Sequence, residues 1–488
     1  MTSPENPQTV TRPGPASPPA PDAASVPAAT PGPASPSTPG SRRAFWCDLA
    51  WIGGEVKSKV LIEVEAGRVS AITCGVKPRP ADAEHLTGLT VPGLANVHSH
   101  AFHRALRGRT QVESGTFWTW RERMYAAAAH LDPDSYRELA TAVFAEMALA
   151  GVTAVGEFHY LHHSPKGGLY QDPNAMGHAL AEAADAAGIR ITLLDTCYLA
   201  GGFDTELNDV QRRFSDGDAG KWADRVEALR KAYAGSETVR VGAAVHSVRA
   251  VPVDQLGPVV AFATENEMPL HVHLSEQRAE NDACLARHHK TPAELLHAHG
   301  ALGPRTTAVH ATHLSQMDID LLGASTTAVC MCPTTERDLA DGIGPAHAAH
   351  LAGSPVNLGS DSHAVIDLVE EARAVELDER LRTERRGHWL ASELLRAATE
   401  DGHASLGWPS AGRLEVGALA DFTTIALDTV RLAGVQPAHA AESVIFAATA
   451  ADVRHVVVAG RFTVRDHRHA LVEDVPGRLA ATIGAIFK

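Results

Sequence analysis

The hydrophobic and polar positions between residues 92 and 409 repeat one pattern, in which a short apolar run ends in polar residues and a helical stretch follows. Eight runs of strand length occur in this region. They cover residues 96–100, 152–159, 189–196, 239–246, 269–275, 306–313, 326–333 and 356–361. Strands that alternate with helical crossovers predict an α/β fold, a parallel (β/α)₈ TIM-like barrel over residues 92–409.

The helix after the first barrel strand has the clearest ends. Residues 133–150 have helical character, Asp132 precedes them and Gly151 follows them. An aspartate is a favoured N-cap residue, and glycine commonly ends a helix. We therefore expect a helix over residues 133–150.

Shorter strand-like runs flank the barrel on both sides. On the N-terminal side they cover residues 45–50, 60–64 and 69–72, broken by Gly53, Gly54 and Gly67. Residues 417–425 and 453–458 show the same pattern. We predict that residues 44–91 and 410–488, the latter with a C-terminal tail, together form a small β-sandwich domain.

Residues 1–43 are rich in proline, alanine and serine and contain few large apolar side chains. Such a segment cannot bury enough apolar area to offset the entropy lost on ordering. It also lacks the apolar core of a secretory signal. We expect a disordered tail.

Charge and cysteine content narrow the function classes. The formal net charge is 43 − 58 = −15, without a basic stripe, which argues against nucleic acid or an anionic membrane as a partner. No apolar run reaches the roughly 18 residues of a membrane span. The six cysteines form no C-x-x-C pair and fit a reducing cytoplasm.

Histidines and a carboxylate stand where the predicted barrel strands end. His98 and His100 end the first strand and point the same way because strand side chains alternate with period two. His271 and His273 lie on the fifth strand, His310 on the sixth and Asp361 on the eighth. Since the C-terminal ends of barrel strands share one face, these residues predict a metal site.

These motifs resemble those of the amidohydrolase superfamily over about residues 44–470. The resemblance implies that His98, His100, His273 and Asp361 bind one divalent metal ion, zinc in most members. Three imidazoles and one carboxylate also suit Zn²⁺ chemically, with Fe²⁺ and Mn²⁺ as alternatives. Binuclear members carry a bridging lysine or glutamate on the fourth strand, and residues 239–246 contain neither.

A hydrolytic mechanism follows from this chemistry. Zinc lowers the pKa of bound water towards 7, and Asp361 would accept the proton. Glu276, three residues after His273, would protonate the nitrogen under attack and later the leaving amine. His310 would stabilise the tetrahedral intermediate. The alternative for Glu276 is a structural role, capping the following helix.

The connection after the first strand contains the aromatic stretch at residues 116–125, with Arg121 at its centre. It predicts a lid or specificity wall over the barrel mouth; the alternative is a helix packed on the outside of the barrel. Arg121, Tyr160, His246 and Arg249 could line one pocket. Two arginines suit a substrate with carboxylates, which guanidinium groups bind bidentately.

The motifs HSHAF-x-R, FWTWR-x-x-MY, EFHY-x-HH, HS-x-RAV, H-x-HLSEQ, VHATHL and LGSDS are similar to those of the formimidoylglutamate deiminases. The resemblance implies hydrolysis of N-formimino-L-glutamate, a small molecule with two carboxylates, to N-formyl-L-glutamate and ammonia in histidine degradation. Carried over, Glu276 and His310 act on the formimino group, while Arg121, Tyr160, His246 and Arg249 hold the carboxylates. His103 stands in the substrate site where the family often has glutamine.

Two alternatives remain at this point. The chain could be another mononuclear deaminase of the superfamily, acting on a purine or other cyclic amidine, or a non-catalytic metal-binding scaffold. The H-x-E…P-C-x-x-C signature of cytidine deaminases is absent. The sequence does not define the oligomeric state, although homodimers are common among such barrels.

Overall fold

The protein is described here by a computed structural model that covers residues 42–111, 115 and 117–487, with only the backbone of Phe117 and Trp118. The tail predicted over residues 1–43 therefore lies outside the described residues, apart from Arg42 and Arg43. Arg43 begins the first strand.

The described strands form two separate eight-stranded sheets. In chain order the strands are β1 (Arg43–Ile52), β2 (Glu55–Glu65), β3 (Arg68–Thr73), β4 (Glu84–Pro92), β5 (Leu94–Ser99), β6 (Val152–His159), β7 (Arg190–Cys197), β8 (Val239–Val245), β9 (Leu270–Leu274), β10 (Thr306–His310), β11 (Ala328–Met331), β12 (Val356–Leu358), β13 (Phe422–Ile425), β14 (Val453–Val458), β15 (Arg461–Arg465) and β16 (Arg468–His469).

Strands β5 to β12 pair in parallel, each with the next along the chain, and form the predicted barrel. A parallel bridge between Ser99 and Asp361 connects the last strand to the first. The (β/α)₈ prediction is thus confirmed. The observed strands differ from the predicted runs by a few residues at their ends.

Helices connect the strands and cover the barrel. They are α1 (Phe117–Ala129), α2 (Pro133–Leu149), α3 (Ala175–Ala187), α4 (Ala219–Ala232), α5 (Val253–Glu265), α6 (Arg278–His288), α7 (Pro292–Ala298), α8 (Gln316–Ala324), α9 (Pro333–Asp338), α10 (Ala346–Ala352), α11 (Leu368–Thr383), α12 (Ala391–Ala398), α13 (Glu400–Ser405), α14 (Ala440–Ala447) and α15 (Val475–Ile486), with 3₁₀ helices at Ala101–Leu106, Gln211–Phe214, Pro437–His439 and Ala450–Asp452. None of the described helices is long and apolar enough to cross a membrane.

Helix α2 begins where the sequence predicted. The side chain of Asp132 accepts a hydrogen bond from the backbone N–H of Ser135 at 2.8 Å, and the Ser135 hydroxyl accepts one from the backbone N–H of Asp132 at 2.9 Å. This reciprocal cap satisfies two backbone donors that a helix leaves unpaired. The helix ends at Leu149, and Gly151 follows with a φ of +95°.

The second sheet contains strands from both ends of the chain, in the order β16-β15-β14-β13-β4-β1-β2-β3. Strand β4, which the sequence pattern did not reveal, pairs with β1 on one side and β13 on the other. The sheet curls around its own core, in which the rings of Phe45 and Phe422 meet edge to face at 5.1 Å. The predicted domain from both chain ends is therefore one continuous curled sheet.

A buried ion pair joins this domain to the barrel. Arg190 at the start of β7 donates to both carboxylate oxygens of Asp421, at 2.6 and 3.0 Å, and the two side chains are 1% and 0% exposed. Asp421 also accepts from the backbone N–H of Ala459 at 2.7 Å.

Replacing Asp421 with alanine is expected to lower the free energy of unfolding by about 3–5 kcal/mol, because the Arg190 cation would remain buried without its partner. Denaturant unfolding measures this change. The control is Asp428→Ala, which removes an exposed carboxylate paired with Arg454 and should cost at most about 1 kcal/mol. Equal losses in both variants would contradict the prediction.

Candidate active site

Closure of the barrel brings together the predicted metal-site residues at the ends of the first and last strands. The backbone N–H of Asp361 donates to the carbonyl of His98 at 3.0 Å, and the N–H of His100 donates to the carbonyl of Asp361 at 3.2 Å. Asp361, which lies after the end of β12, is therefore held between His98 on β5 and His100 directly after it. His273 on β9 completes the group from the opposite side.

The side-chain atoms of this group have the spacing of metal ligands. His98 Nε2 lies 3.1 Å from His273 Nε2 and 3.4 Å from Asp361 Oδ1, and His100 Nε2 lies 3.3 Å from the same oxygen. Two ligands that each lie at 2.0–2.1 Å from a tetrahedral ion are about 3.4 Å apart. The four donors thus fit one divalent cation.

The hydrogen bonds behind the histidines favour the same arrangement. Nδ1 of His100 lies 3.0 Å from the carbonyl oxygen of Phe158, and Nδ1 of His273 lies 3.0 Å from that of His246. A carbonyl can only accept, so each Nδ1 carries the proton and each Nε2 keeps its lone pair for a metal.

The protonation states of these side chains also suit the binding of a cation. Burial lowers the pKa of His100 to about 3 and holds the pKa of His273 well below its ordinary value, so that both rings are neutral. Burial alone would raise the pKa of Asp361, but its hydrogen bond and charge interaction with His98, together with His310 and His100, lower it below its ordinary value. The carboxylate is therefore ionised.

Several strand ends that build the site adopt the left-handed backbone region. The φ angles are +51° at Ser275, +67° at His310 and +41° at Asp361. A residue with a side chain pays roughly 1–3 kcal/mol for such a conformation, and these residues concentrate at functional sites. Here the unusual backbone turns side chains from the strand ends over the barrel mouth.

Glu276 and His310 form a second group beside the metal ligands. Oε1 of Glu276 lies 4.0 Å from His310 Nε2, and that nitrogen lies 3.9 Å from Asp361 Oδ2. Burial raises the pKa of Glu276. Burial would lower the pKa of His310, but Glu276, Glu336 and Asp361 raise it well above its ordinary value. The surroundings of the pair thus favour its protonated form.

The residues predicted to bind substrate line the same pocket as the metal ligands and the Glu276–His310 pair. His98 lies behind this pocket and is fully buried. The wall contains His100, His103, Arg121, Tyr160, His246, Arg249, His273, Glu276, His310 and Asp361. The structure thus brings the predicted site residues together at the C-terminal end of the barrel.

Residues 117–125 of the aromatic stretch are helical and form the N-terminal part of α1. Trp120, Arg121, Met124 and Tyr125 line the pocket, so the helix lies over the barrel mouth and not on the outside of the barrel. Thr116 and the side chains of Phe117 and Trp118 lie outside the described residues.

His103 contributes a neutral ring to the pocket wall. Its Nε2 lies 2.9 Å from the hydroxyl of Tyr160, and its ring centre lies 4.5 Å from that of His100. Burial holds the pKa of His103 well below its ordinary value. Because Tyr160 occupies Nε2, Nδ1 is the ring atom left to hydrogen-bond a ligand.

Three buried glutamates support the site without having been assigned a role from the sequence. Glu157 accepts from Ser99 Oγ at 2.6 Å and from the Ala101 N–H at 2.7 Å, which fixes the segment between the ligands, and burial raises its pKa to about 8. Glu336 lies 3.5 Å from His310 Nδ1, and Glu280 lies 2.9 Å from Arg249 Nε. Only Glu157 has a sequence signal, a carboxylate within an apolar strand, whereas Glu280 and Glu336 lie in polar helical stretches.

Two further histidines, His162 and His163, follow β6 in a loop and are each only 1% exposed. Their burial results from the long segment after β7, whose Arg213 carbonyl accepts hydrogen bonds from both backbone N–H groups.

The barrel, its metal-ligand geometry and the carboxylate beside it are those of a metal-dependent hydrolase. The chain belongs to the amidohydrolase family, whose model matches residues 89–463.

Individual relatives agree with this assignment. The chain is 37% identical over 401 residues to formimidoylglutamate deiminase from Pseudomonas aeruginosa, covering 80% of this chain and 87% of the relative. It is 30% identical over 412 residues to 5-methylthioadenosine/S-adenosylhomocysteine deaminase from Natronomonas pharaonis, covering 83% and 88%. A solved amidohydrolase structure from Brucella melitensis superposes with a TM-score of 0.85 at 32% identity, covering 91% of this chain and all of that one.

Proposed function

We propose that this protein hydrolyses N-formimino-L-glutamate to N-formyl-L-glutamate and ammonia, a step of histidine degradation. The observation that carries the proposal is the convergence of Arg121 and Arg249 on the pocket that also contains Glu276 and His310. Two guanidinium groups match the two carboxylates of the substrate. The 37% identity to a formimidoylglutamate deiminase supports the same assignment.

We further propose that His98, His100, His273 and Asp361 hold one zinc ion. Three imidazole nitrogens and a carboxylate oxygen, in tetrahedral spacing, are ligands that zinc prefers. When bound, the ion supplies Lewis acidity, which makes water nucleophilic at neutral pH.

The protein's own residues would then move the protons. Asp361 accepts a proton from the attacking water, and Glu276 delivers one to the imine nitrogen of the formimino group. His310 lies near both carboxylates and would donate a hydrogen bond to the oxygen that has added to the formimino carbon, where negative charge develops. That oxygen then loses its remaining proton to form the formyl C=O, and the terminal nitrogen takes up a second proton through Glu276. The C–N bond to the terminal nitrogen breaks, ammonia leaves, and the formyl group stays on glutamate.

The second candidate is deamination of a purine or other cyclic amidine. The observation that favours it is a set of aromatic side chains that line the pocket and could stack on a heterocycle. They are Trp120, Tyr125, Tyr198 and Phe214. The relative from N. pharaonis is named as a deaminase of such compounds. A purine ring by itself carries no carboxylate that would match the two arginines of the pocket.

Ammonia release from N-formimino-L-glutamate by the zinc-loaded protein, with the second product identified by mass spectrometry, tests the proposal. Ammonia together with N-formyl-L-glutamate supports it. Release of formamide and glutamate would keep the substrate but change the bond cleaved. If metal is bound and neither product forms, the proposal fails, and 5-methylthioadenosine and related purines become the substrates to test.

Replacing Arg121 with alanine should raise KM for N-formimino-L-glutamate by about tenfold or more with little change in kcat. The reason is that a charge-assisted hydrogen bond to a carboxylate, worth roughly 1.5–3 kcal/mol, is lost from binding and not from the chemical step. Steady-state kinetics measure the two constants.

Arg123→Ala is the matched control for this prediction. It removes the same charge from the same helix, but Arg123 is exposed and does not contribute to the pocket wall. An unchanged KM in Arg121→Ala would contradict the carboxylate assignment and favour the purine candidate.

We also place this activity in the cytoplasm, because all six cysteines are free, five of them buried, which suits a reducing compartment.

A further inference from the structure

Arg249 lies between two glutamates, and this arrangement concerns the pocket directly. Its Nε lies 2.9 Å from Oε2 of Glu280, and its Nη2 lies 3.8 Å from Oε2 of Glu276. The first distance is that of a charge-assisted hydrogen bond, whereas the second is too long for one. Arg249 is therefore hydrogen-bonded to Glu280, and it lies near Glu276 without forming a hydrogen bond to it.

Glu280 is anchored on both of its carboxylate oxygens. It lies in the first turn of α6 and is 2% exposed. While Oε2 accepts from Arg249, Oε1 faces the backbone N–H of Ser275 at 3.4 Å. Ser275 directly precedes Glu276, so the carboxylate of Glu280 is tied to the same segment that carries the proposed proton donor.

Glu280 is not one of the residues that form the pocket wall, but Arg249 and Glu276 are. Glu280 can therefore influence a ligand only indirectly, through Arg249 or through the Ser275–Glu276 segment, and its shorter hydrogen bond is the one to Arg249. A guanidinium group has five N–H donors in a fixed planar fork. Because Glu280 occupies the Nε donor, the two terminal nitrogens remain for a carboxylate in the pocket.

We propose that Glu280 is a positioning residue for the substrate pocket: it fixes Arg249 so that the terminal nitrogens meet a substrate carboxylate, and it keeps this cation from pairing with Glu276. Without the charge of Glu280, the attraction of Arg249 to Glu276 would no longer be opposed. The pocket would lose an oriented carboxylate receptor, and Glu276 would be engaged in an ion pair. The inference rests on the proposed function for the identity of the substrate only.

The test compares Glu280→Gln and Glu280→Ala with Asp282→Asn, an exposed carboxylate two residues further along α6. Glu280→Gln should raise KM for N-formimino-L-glutamate about tenfold and lower kcat severalfold, Glu280→Ala should do more, and Asp282→Asn should change neither. Zinc content and the thermal transition are measured for every variant. Unchanged kinetics in a folded, metal-loaded Glu280→Gln variant would overturn the proposal.

A double-mutant cycle with Arg249→Ala separates positioning from a general structural effect. If Glu280 acts through Arg249, adding Glu280→Gln to Arg249→Ala should not raise KM further. Additive increases would show that Glu280 acts independently and would overturn the proposal. The cycle remains informative even where single variants lose stability, because it compares the change in KM of the double variant with the sum of the changes in the two single variants.

Glutarate binding, measured by calorimetry on the zinc-loaded protein, distinguishes this inference from the proposed function. Glutarate carries two carboxylates and no formimino group. Weaker glutarate binding in Glu280→Gln without any turnover of N-formimino-L-glutamate in the wild type would support the positioning role and refute the function. Normal turnover with unchanged glutarate binding in the variant would refute the positioning role and leave the function standing.

Discussion

Replacing Glu276 with glutamine is expected to reduce kcat for ammonia release by about 10²–10⁴-fold, the range that a positioned general acid or base contributes. Glutamine has nearly the same shape and can still hydrogen-bond in the pocket, but it cannot deliver a proton to the imine nitrogen. Glu276 lies 4.0 Å from His310 and 3.8 Å from Arg249, so the variant should retain the geometry of the wall. Zinc should stay bound, because Glu276 is not one of the four proposed ligands.

The measurements for this variant are kcat and the zinc content per chain. Glu265→Gln serves as the control, since Glu265 is an exposed residue at the end of α5 and should behave as the wild type. Activity near the wild-type level in Glu276→Gln would refute the assignment of Glu276 as the proton donor. Loss of zinc together with activity would instead assign Glu276 to the metal site.

Replacing His273 with alanine is expected to remove the metal and, with it, all measurable turnover. His273 supplies one of four donors, and its Nε2 lies 3.1 Å from that of His98. Losing only a hydrogen-bond partner of a ligand typically costs about 10–100-fold in metal affinity, so loss of the ligand itself should cost more. Zinc per chain after dialysis, measured by mass spectrometry, should fall to a small fraction of the wild-type value.

His271→Gln is the matched control, because His271 lies on the same strand and the same face, two residues before His273. Its Nε2 lies 3.1 Å from the carbonyl oxygen of Ser405, deeper in the barrel. The control should keep its zinc and fold as the wild type does. If it lost zinc while His273→Ala retained it, the fifth-strand ligand would have been assigned to the wrong histidine.

The fold was largely predictable from the sequence because its signals are local. Apolar runs of strand length, each ending in polar residues, recur eight times between Asn96 and Asp361, and Asp132 marks the start of α2. Strand β4 gave no such signal, since Gly88 and several polar residues interrupt its apolar pattern. It is held by pairing with strands from both chain ends, which no local pattern encodes.

The candidate site was predictable as far as it depends on strand order. Parallel strands of a barrel all end on one face, so the residues at those ends could be expected to meet before any contact was known. Strand order alone does not distinguish the two histidines of β9. His271 and His273 point to the same face of the strand, and only their depth in the barrel shows which of them lies beside His98.

The sequence by itself determined the barrel, the class of chemistry and the residue types available for it, because periodicity and strand order act over short distances. Only the tertiary structure decided how these residues are held. The bond that places Asp361 beside His98 spans more than half of the chain, and the pairing of Arg249 with Glu280 joins the connection after β8 to the first turn of α6. Such contacts form only when the whole barrel closes. The order of polar and apolar residues along the chain does not show which buried carboxylate will pair with which cation.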